Sequence, residues 1–461
     1  MGQYDILVIG GGNAALSAAL TARDNGAQVL IIERAPKFYR GGNSRHTRDF
    51  RIMHEQKNAY TTGAYSEDEF FEDLKRVAQG EIDEELARYI IRKSAELPDW
   101  LESQGIRWQE PLAGTLHLSR TNMFMLGGGR AMMNAYYYTA QKKGIDIWYD
   151  SLVEQVQLDG LVAKSVKVRR GDERVTVTCK ALILASGGFE ANVEWLKEYW
   201  GEAAENFIIR GTPYNQGNLI RFMLDSGAES VGDPDAFHGV AVDGRAPKFD
   251  GGIITRLDSV PFGIVVNQNV ERFYNEGEDF WTKRYAIWGG LIARQPGQVA
   301  YSIIDSKAMG KFMPSVFDPI VTSSLPELAV KLGIDGDKLV TTVNTFNGAI
   351  ASGGTFNPSE LDDCHTDGIT PPKTHWAIPV DTAPFYAYPL RTGVTFTYHG
   401  VRINDRAQVK MKDGRVMENL FAVGEMVSGN VLKRGYLAGF GLTQGAVMGR
   451  IAGEVAAHVI G

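Results

Sequence analysis

Asp5-Ile-Leu-Val-Ile-Gly10-Gly11-Gly12-Asn13-Ala14-Ala15 decides how the rest of the chain is read. Its apolar start reads as a buried strand, Ala14 to Asn25 as a helix of small residues, and Gln28 to Glu33 as a second strand. The segment therefore spells a strand–helix–strand unit with GxGxxA at its turn. Gly10 permits the tight turn and Gly12 lets backbone approach a pyrophosphate. Ala15 stands where a third glycine usually keeps helix and strand close. The helix start offers unpaired N–H groups and a positive dipole end to phosphates, which places Asn13 and Ala14 beside them. Glu33, with Arg34 after it, ends the second strand and is the acid expected to accept hydrogen bonds from a ribose diol. An acid there disfavours NADP. The unit predicts an adenine dinucleotide and leaves FAD against NAD open.

Working outward, the 461 residues, 44% apolar with 52 glycines, predict two or three domains. A net charge of −7 gives nucleic acid or an anionic membrane no general reason to bind. The first residues run straight into the strand without a basic start or cleavage pattern, so no secretory signal is expected and the chain is read as cytoplasmic. No apolar run approaches the roughly 20 residues of a membrane span, so the chain is not expected to be transmembrane; peripheral association at the inner face of a membrane stays open. The two cysteines, Cys179 and Cys364, cannot supply a four-thiolate iron–sulfur cluster, and no metal site is expected.

Along the chain, Ser66 to Gln104 and Met132 to Lys143 read as helical, and Ile145–Tyr149 as a strand. Leu152–Arg169 and Arg174–Cys179 read as two strands joined near Gly171. Ala181–Ala185 is a continuous apolar strand ending in Ser-Gly-Gly, and Ala191–Trp200 a helix. From residue 235 to 395 the text turns aromatic and proline-rich. We read it as an inserted α+β capping domain within an α/β, Rossmann-like cofactor domain of residues 1–234 and 396–461 with a parallel sheet. The end restores the α/β rhythm, with a strand at Asn419–Val423, a turn at Gly424–Glu425 and a helix at Thr443–Val459.

Three glycine segments add to the fingerprint: Gly41-Gly42-Asn43-Ser44, Leu182-Ile-Leu-Ala185-Ser-Gly187-Gly188-Phe, and Leu420-Phe-Ala-Val-Gly424-Glu425. With it they resemble the flavoprotein family of fumarate reductases and succinate dehydrogenases, along nearly the whole chain. The resemblance implies FAD, with Gly41, Gly42, Asn43 and Ser44 beside the isoalloxazine, and Ala185, Gly187 and Gly188 toward the adenosine. It puts Gly424 and Glu425 at the ribityl and pyrophosphate. Gly217 and Asn218 stand at a GDG-like turn, and Gly441-Leu442 opens the terminal helix. Members that bind flavin covalently carry a histidine where Asn43 aligns, and His46 lies three residues late, so non-covalent FAD is implied.

Between Arg40 and Arg51 sit Arg40, Arg45, His46, Arg48 and Arg51, a density suited to carboxylates, although each could instead be a surface charge or serve a local acid. This loop, Glu271 to Tyr285 and Lys433-Arg434-Gly-Tyr436 resemble the tricarballylate-oxidising branch of the family. That branch implies a small polycarboxylate substrate, oxidised at a saturated C–C bond by hydride transfer to flavin N5. It also implies a separate electron acceptor, a membrane-bound iron–sulfur or haem protein. By resemblance Arg284 is the first candidate for proton relay, with Tyr285 and the His46 loop as alternatives. His238, Arg391, His399 and Arg434 are candidate carboxylate contacts, with Arg45, Arg48 and Tyr436 beside them. A fumarate-reductase-like reductase, a ketosteroid-type dehydrogenase using Tyr285 and Tyr436, and a non-catalytic flavin subunit of a larger assembly remain as alternatives.

Overall fold

Strand β1 (Ile6–Ile9) lies inside a six-stranded sheet with α1 (Asn13–Asp24) and β2 (Val29–Ile32) following it in the chain. The sheet is completed by β3 (Asp146–Trp148), β4 (Ala181–Leu184), β5 (Gln408–Lys410) and β6 (Val416–Ala422), in the order β5-β6-β4-β1-β2-β3. All neighbours are parallel except the edge strand β5, which runs antiparallel to β6. Every residue of β1, β2 and β4 is buried, which is why each is a continuous apolar run rather than an alternating one. The computed structural model describes residues 4–78, 82–111 and 118–460.

Two helices position the glycine turn. α2 (Gly128–Lys142) donates from the Tyr137 hydroxyl to Gly11 O at 2.8 Å and from Tyr136 to Asn13 Oδ1 at 3.2 Å. α3 (Phe440–Ile460) lies along α1 through glycines: a Cβ on Gly449 would strike Ala14 O, and one on Gly453 would strike Ala18 O. The last segment of the chain is thereby pressed against the first helix, and Asn13 Nδ2 donates to Leu442 O at 2.8 Å.

The second sheet is built on one long strand, Phe385–Thr397. Phe237–Asp243, Val299–Asp305 and Ile320–Thr322 pair with it antiparallel, and Ile208–Ile209 pairs parallel. The expected boundary at 395/396 falls inside this strand, so the two regions are joined by a hydrogen-bonded ladder.

Two expectations need correction. The stretch read as one strand from Leu152 to Arg169 is a hairpin, Ser151–Asp159 and Val162–Arg170, with Glu173–Thr178 as third strand. Asp159-Gly160 is a turn signal, and Gly160 takes the left-handed φ of +59° that the turn requires. The helical stretch from Ser66 breaks into Glu67–Val77, Glu84–Ser94 and Leu97–Ser103, while its residues 79–81 lie outside the described ones. Side-chain caps at Ser66 and Asp83, which accept from Glu69 N and Leu86 N, start the first two separately. Among the described residues no helix is long and apolar enough to cross a membrane.

The glycine contact between α1 and α3 can be tested directly. Gly453→Val forces a side chain into helix backbone, and urea unfolding should show a loss of about 1–3 kcal/mol; an unchanged midpoint would mean the helices are not in backbone contact.

Candidate active site

A cleft of about 1650 Å³, its open mouth included, runs from the carboxyl end of β2 to the strand Phe237–Asp243. Its first half is made of turns. Gly10 holds φ +114° and lies so close to β4's continuation that a Cβ would overlap Ala185 O. Asn13 N donates to Ser44 Oγ at 3.0 Å, which ties the second glycine segment to the start of α1. α1 begins with Gly12, without a side-chain cap and without an acid in its first turn. Its positive end is therefore left for an anionic ligand, which suits a pyrophosphate. Glu33 is buried and accepts from Ala35 N at 2.7 Å, and burial pushes its carboxyl up to about 7.

Most of the expected cofactor residues come together on this cleft: Gly10, Gly12, Asn13, Ala14, Glu33, Arg34, Gly42, Asn43, Ser44, Ala185, Gly187, Gly217, Asn218, Gly424, Glu425, Gly441 and Leu442 all line it. Ala15, Gly41 and Gly188 do not, and each has a packing reason. Ala15 is fully buried in α1, Gly41 holds φ +107° against Met133, and a Cβ on Gly188 would overlap Glu425 and Thr397. These three positions clear space for neighbours of the cleft.

The far half is cationic, and its composition differs from expectation. Arg48, Arg210 and Arg256 line it with His238, Tyr285 and Tyr436. Arg256 forms a two-pronged pair with Asp258 at 2.7 Å on each prong, and its guanidinium lies 4.7 Å from the Tyr285 ring. Arg48 Nε stands 3.4 Å from Asp49. Arg210 has no such partner: it is 7% exposed, and neither Nε nor Nη1 is hydrogen bonded. Burial, and then the neighbouring Arg256, push its guanidinium down to about 10. His238 is buried with both ring nitrogens unpartnered; burial first, then Arg210 and Arg256, drive it well below the ordinary histidine range, so it is neutral. Its ring stacks on Tyr436 at 4.1 Å and meets Tyr285 edge-on at 5.5 Å. The Tyr436 hydroxyl accepts from Gly441 N at 3.0 Å. Burial raises both phenols, which are therefore neutral near pH 7.

Several candidates lie elsewhere. Arg284 donates to Glu278 at 2.7 Å and to the Tyr274 hydroxyl at 2.8 Å, and does not line the cleft. Arg391 donates to Gly297 O at 2.8 Å and does not line the cleft. Arg434 pairs with Asp233 at 2.7 Å, His399 stands 3.3 Å from Gly232 O, and Arg45 lies over Tyr39. None of these three lines the cleft. His46 does line it, with Nε2 held 2.6 Å from Asp250. Arg210 and Arg256 were missed because neither stands in a motif. The signal at Arg210 is a lone cation between the buried pair Ile208-Ile209 and Gly211.

An anion-ready helix start, a buried acid after β2 and glycine turns from four further segments define a dinucleotide-binding flavoprotein. Residues 5–442 match the family described as FAD binding domain; the chain belongs to that family and binds FAD. It is 26% identical over 473 residues to the NADH:fumarate oxidoreductase of Klebsiella pneumoniae, covering 99% of this chain and 48% of that protein. It is 27% identical over 531 residues to the NADH:acrylate oxidoreductase of Vibrio harveyi, covering 99% and 50%. The chain thus spans about half the length of these two curated relatives. A flavocytochrome c3 fumarate reductase in its open conformation shares the fold with a TM-score of 0.76 at 22% identity, over 99% of this chain and 78% of that one.

Two substitutions separate these placements. Gly10→Val should abolish FAD retention, read as loss of flavin absorbance relative to protein, since both φ and space forbid a side chain there. Arg284→Ala should leave flavin content and ligand affinity within about twofold, the range of an exposed ion pair; a larger loss would bring Arg284 back to the site.

Proposed function

We propose that the chain is an FAD-dependent oxidoreductase that dehydrogenates a saturated C–C bond beside carboxylates in a small polycarboxylate, turning tricarballylate into cis-aconitate. The observation that carries this reading is Arg210, a buried guanidinium in the cleft with two unpartnered nitrogens. A desolvated cation without a counterion is costly, and a ligand carboxylate supplies both the charge and the hydrogen bonds it lacks. Arg48 and neutral His238 offer further donors on the same wall.

When bound, FAD supplies the hydride acceptor for the carbon that loses it. The residues supply the rest. The adjacent carbon must lose a proton while charge spreads into its carboxylate, and Arg210 and Arg48 stabilise that charge. Tyr285 accepts the proton as its phenolate, the minor form near pH 7, in this reading: it faces the cleft, and Arg256, Arg210 and Arg48 oppose the burial that raises its phenol. The product gains one C=C bond, with the hydride and the proton accounted for. FAD is held non-covalently in this reading. The Asn43 amide is engaged with Glu190 and Thr395, and His46 is held by Asp250.

Residues 235–395 act as the cap over a cofactor region of residues 1–234 and 396–461. Electrons leave to a separate acceptor, a membrane-bound iron–sulfur or haem protein at the inner face of the membrane, since the two cysteines cannot hold a cluster. A ketone substrate is the second reading: Tyr436 accepts from Gly441 N, so its own proton is free for a carbonyl oxygen.

Anaerobic addition of tricarballylate to the FAD-loaded protein should bleach the flavin band near roughly 450 nm. Bleaching by a cyclic ketone and not by tricarballylate would select the second reading. Arg210→Met should keep FAD and weaken tricarballylate binding by about 10–100-fold, the value of one or two charged hydrogen bonds; unchanged affinity would remove Arg210 from the site. Tyr285→Phe should slow bleaching by about 100-fold or more with flavin content unchanged.

A further inference from the structure

Glu190 is fully buried and takes no part in the chemistry above. Its Oε1 accepts from Asn43 Nδ2 at 2.7 Å and from Asn215 Nδ2 at 2.6 Å, while its Oε2 has no partner among these donors. A second carboxyl stands beside that oxygen. A Cβ on Gly188 would meet Glu425 Oε1, Thr397 Oγ1 and Glu190 Oε2 at once, so the two acids converge on one point. Glu425 Oε1 accepts from Thr397 N at 2.8 Å and from Thr397 Oγ1 at 3.2 Å. Amides and hydroxyls thus fill Oε1 of each acid. Among the described residues neither acid forms an ion pair with an arginine, lysine or histidine; the other titratable group facing Glu425 is the buried Tyr398 phenol.

Two carboxylates cannot both ionise at this separation in a buried site without a cation. We propose that Glu190 is a positioning residue of the FAD site: Glu190 and Glu425 hold one proton between them, and this acid pair locks together the loops that carry Asn43 and Asn215 and the turn at Gly424. The pair joins segments far apart in sequence. Asn43 also donates to Thr395 O at 2.8 Å and accepts from Thr212 N at 2.9 Å, so residues 43, 190, 212, 215 and 395 form one network, which the shared proton extends to Glu425. Asn43, Asn215 and Glu425 line the cleft, whereas Glu190 stands behind them. Burial raises both carboxyls, in keeping with a retained proton. This assignment is independent of the substrate reading and concerns only the cofactor pocket.

The sign of the linkage follows. A carboxyl raised in the folded state stabilises the protein below its unfolded value, and that contribution is lost as pH climbs from there through the folded value. In Glu190→Gln, the amide oxygen can keep both asparagine bonds and the NH2 replaces the shared proton, so the variant no longer needs one. Urea unfolding of the FAD-loaded protein at one fixed excess of FAD, from pH 5 to 9, should show the wild-type unfolding constant rising up to about tenfold more per pH unit than that of Glu190→Gln. Glu33 titrates in both proteins, so the difference isolates the pair. FAD affinity at pH 7, read from quenching of flavin fluorescence, should stay within about threefold in Glu190→Gln and fall about tenfold or more in Glu190→Ala. Equal pH slopes for wild type and Glu190→Gln, or unchanged FAD affinity in Glu190→Ala, would overturn the proposal. If Glu190→Ala does not fold, the two pH slopes decide it alone.

Discussion

The backbone contact between α1 and α3 is the constraint on which the site depends. Gly449 and Gly453 let the last helix lie against Ala14 and Ala18 of the first, and no side chain could stand between them. That contact brings Gly441 and Leu442 to the glycine turn, where Asn13 takes the Leu442 carbonyl. The two ends of the sequence thereby become adjacent walls of one cleft. Tyr136 and Tyr137 of α2 fix the turn from the other side, so its backbone is committed before any ligand arrives.

The cleft then carries opposite electrostatic problems in its two halves. Around the glycine turn the donors belong to backbone and the acids are buried and raised, as at Glu33 and the pair Glu190 and Glu425. In the other half the excess is cationic. Arg256 is satisfied by Asp258 and Arg48 stands near Asp49, while Arg210 has no ion pair among the described residues, and burial, then Arg210 and Arg256, hold His238 low. A neutral histidine between two neutral tyrosines can donate or accept without adding charge. Arg210 is thus the cleft's buried guanidinium left with two unpartnered nitrogens.

The cofactor half was legible in the sequence because its physics is local. A glycine that must reach φ +114°, an acid one strand later and a strand ending in Ala-Ser-Gly-Gly all leave short patterns. The cationic half was not, because its residues meet only through tertiary placement. Arg210 and Arg256 come from unrelated loops, whereas Arg284, Arg391 and Arg434, each chosen for its place in a motif-like stretch, are engaged by Glu278, Gly297 and Asp233. Sequence density of arginine raised the expectation of an anionic ligand; it did not show which guanidinium is left unpaired. The misread hairpin at Gly160 has a similar origin, since alternation continues on both sides of its turn and hides the reversal.

The most direct test is calorimetric titration of the FAD-loaded protein with tricarballylate and, separately, with its uncharged trimethyl ester. A carboxylate site built on Arg210 requires heat and saturable binding for the acid and none for the ester. Equal binding of both, or binding of the ester alone, would contradict it.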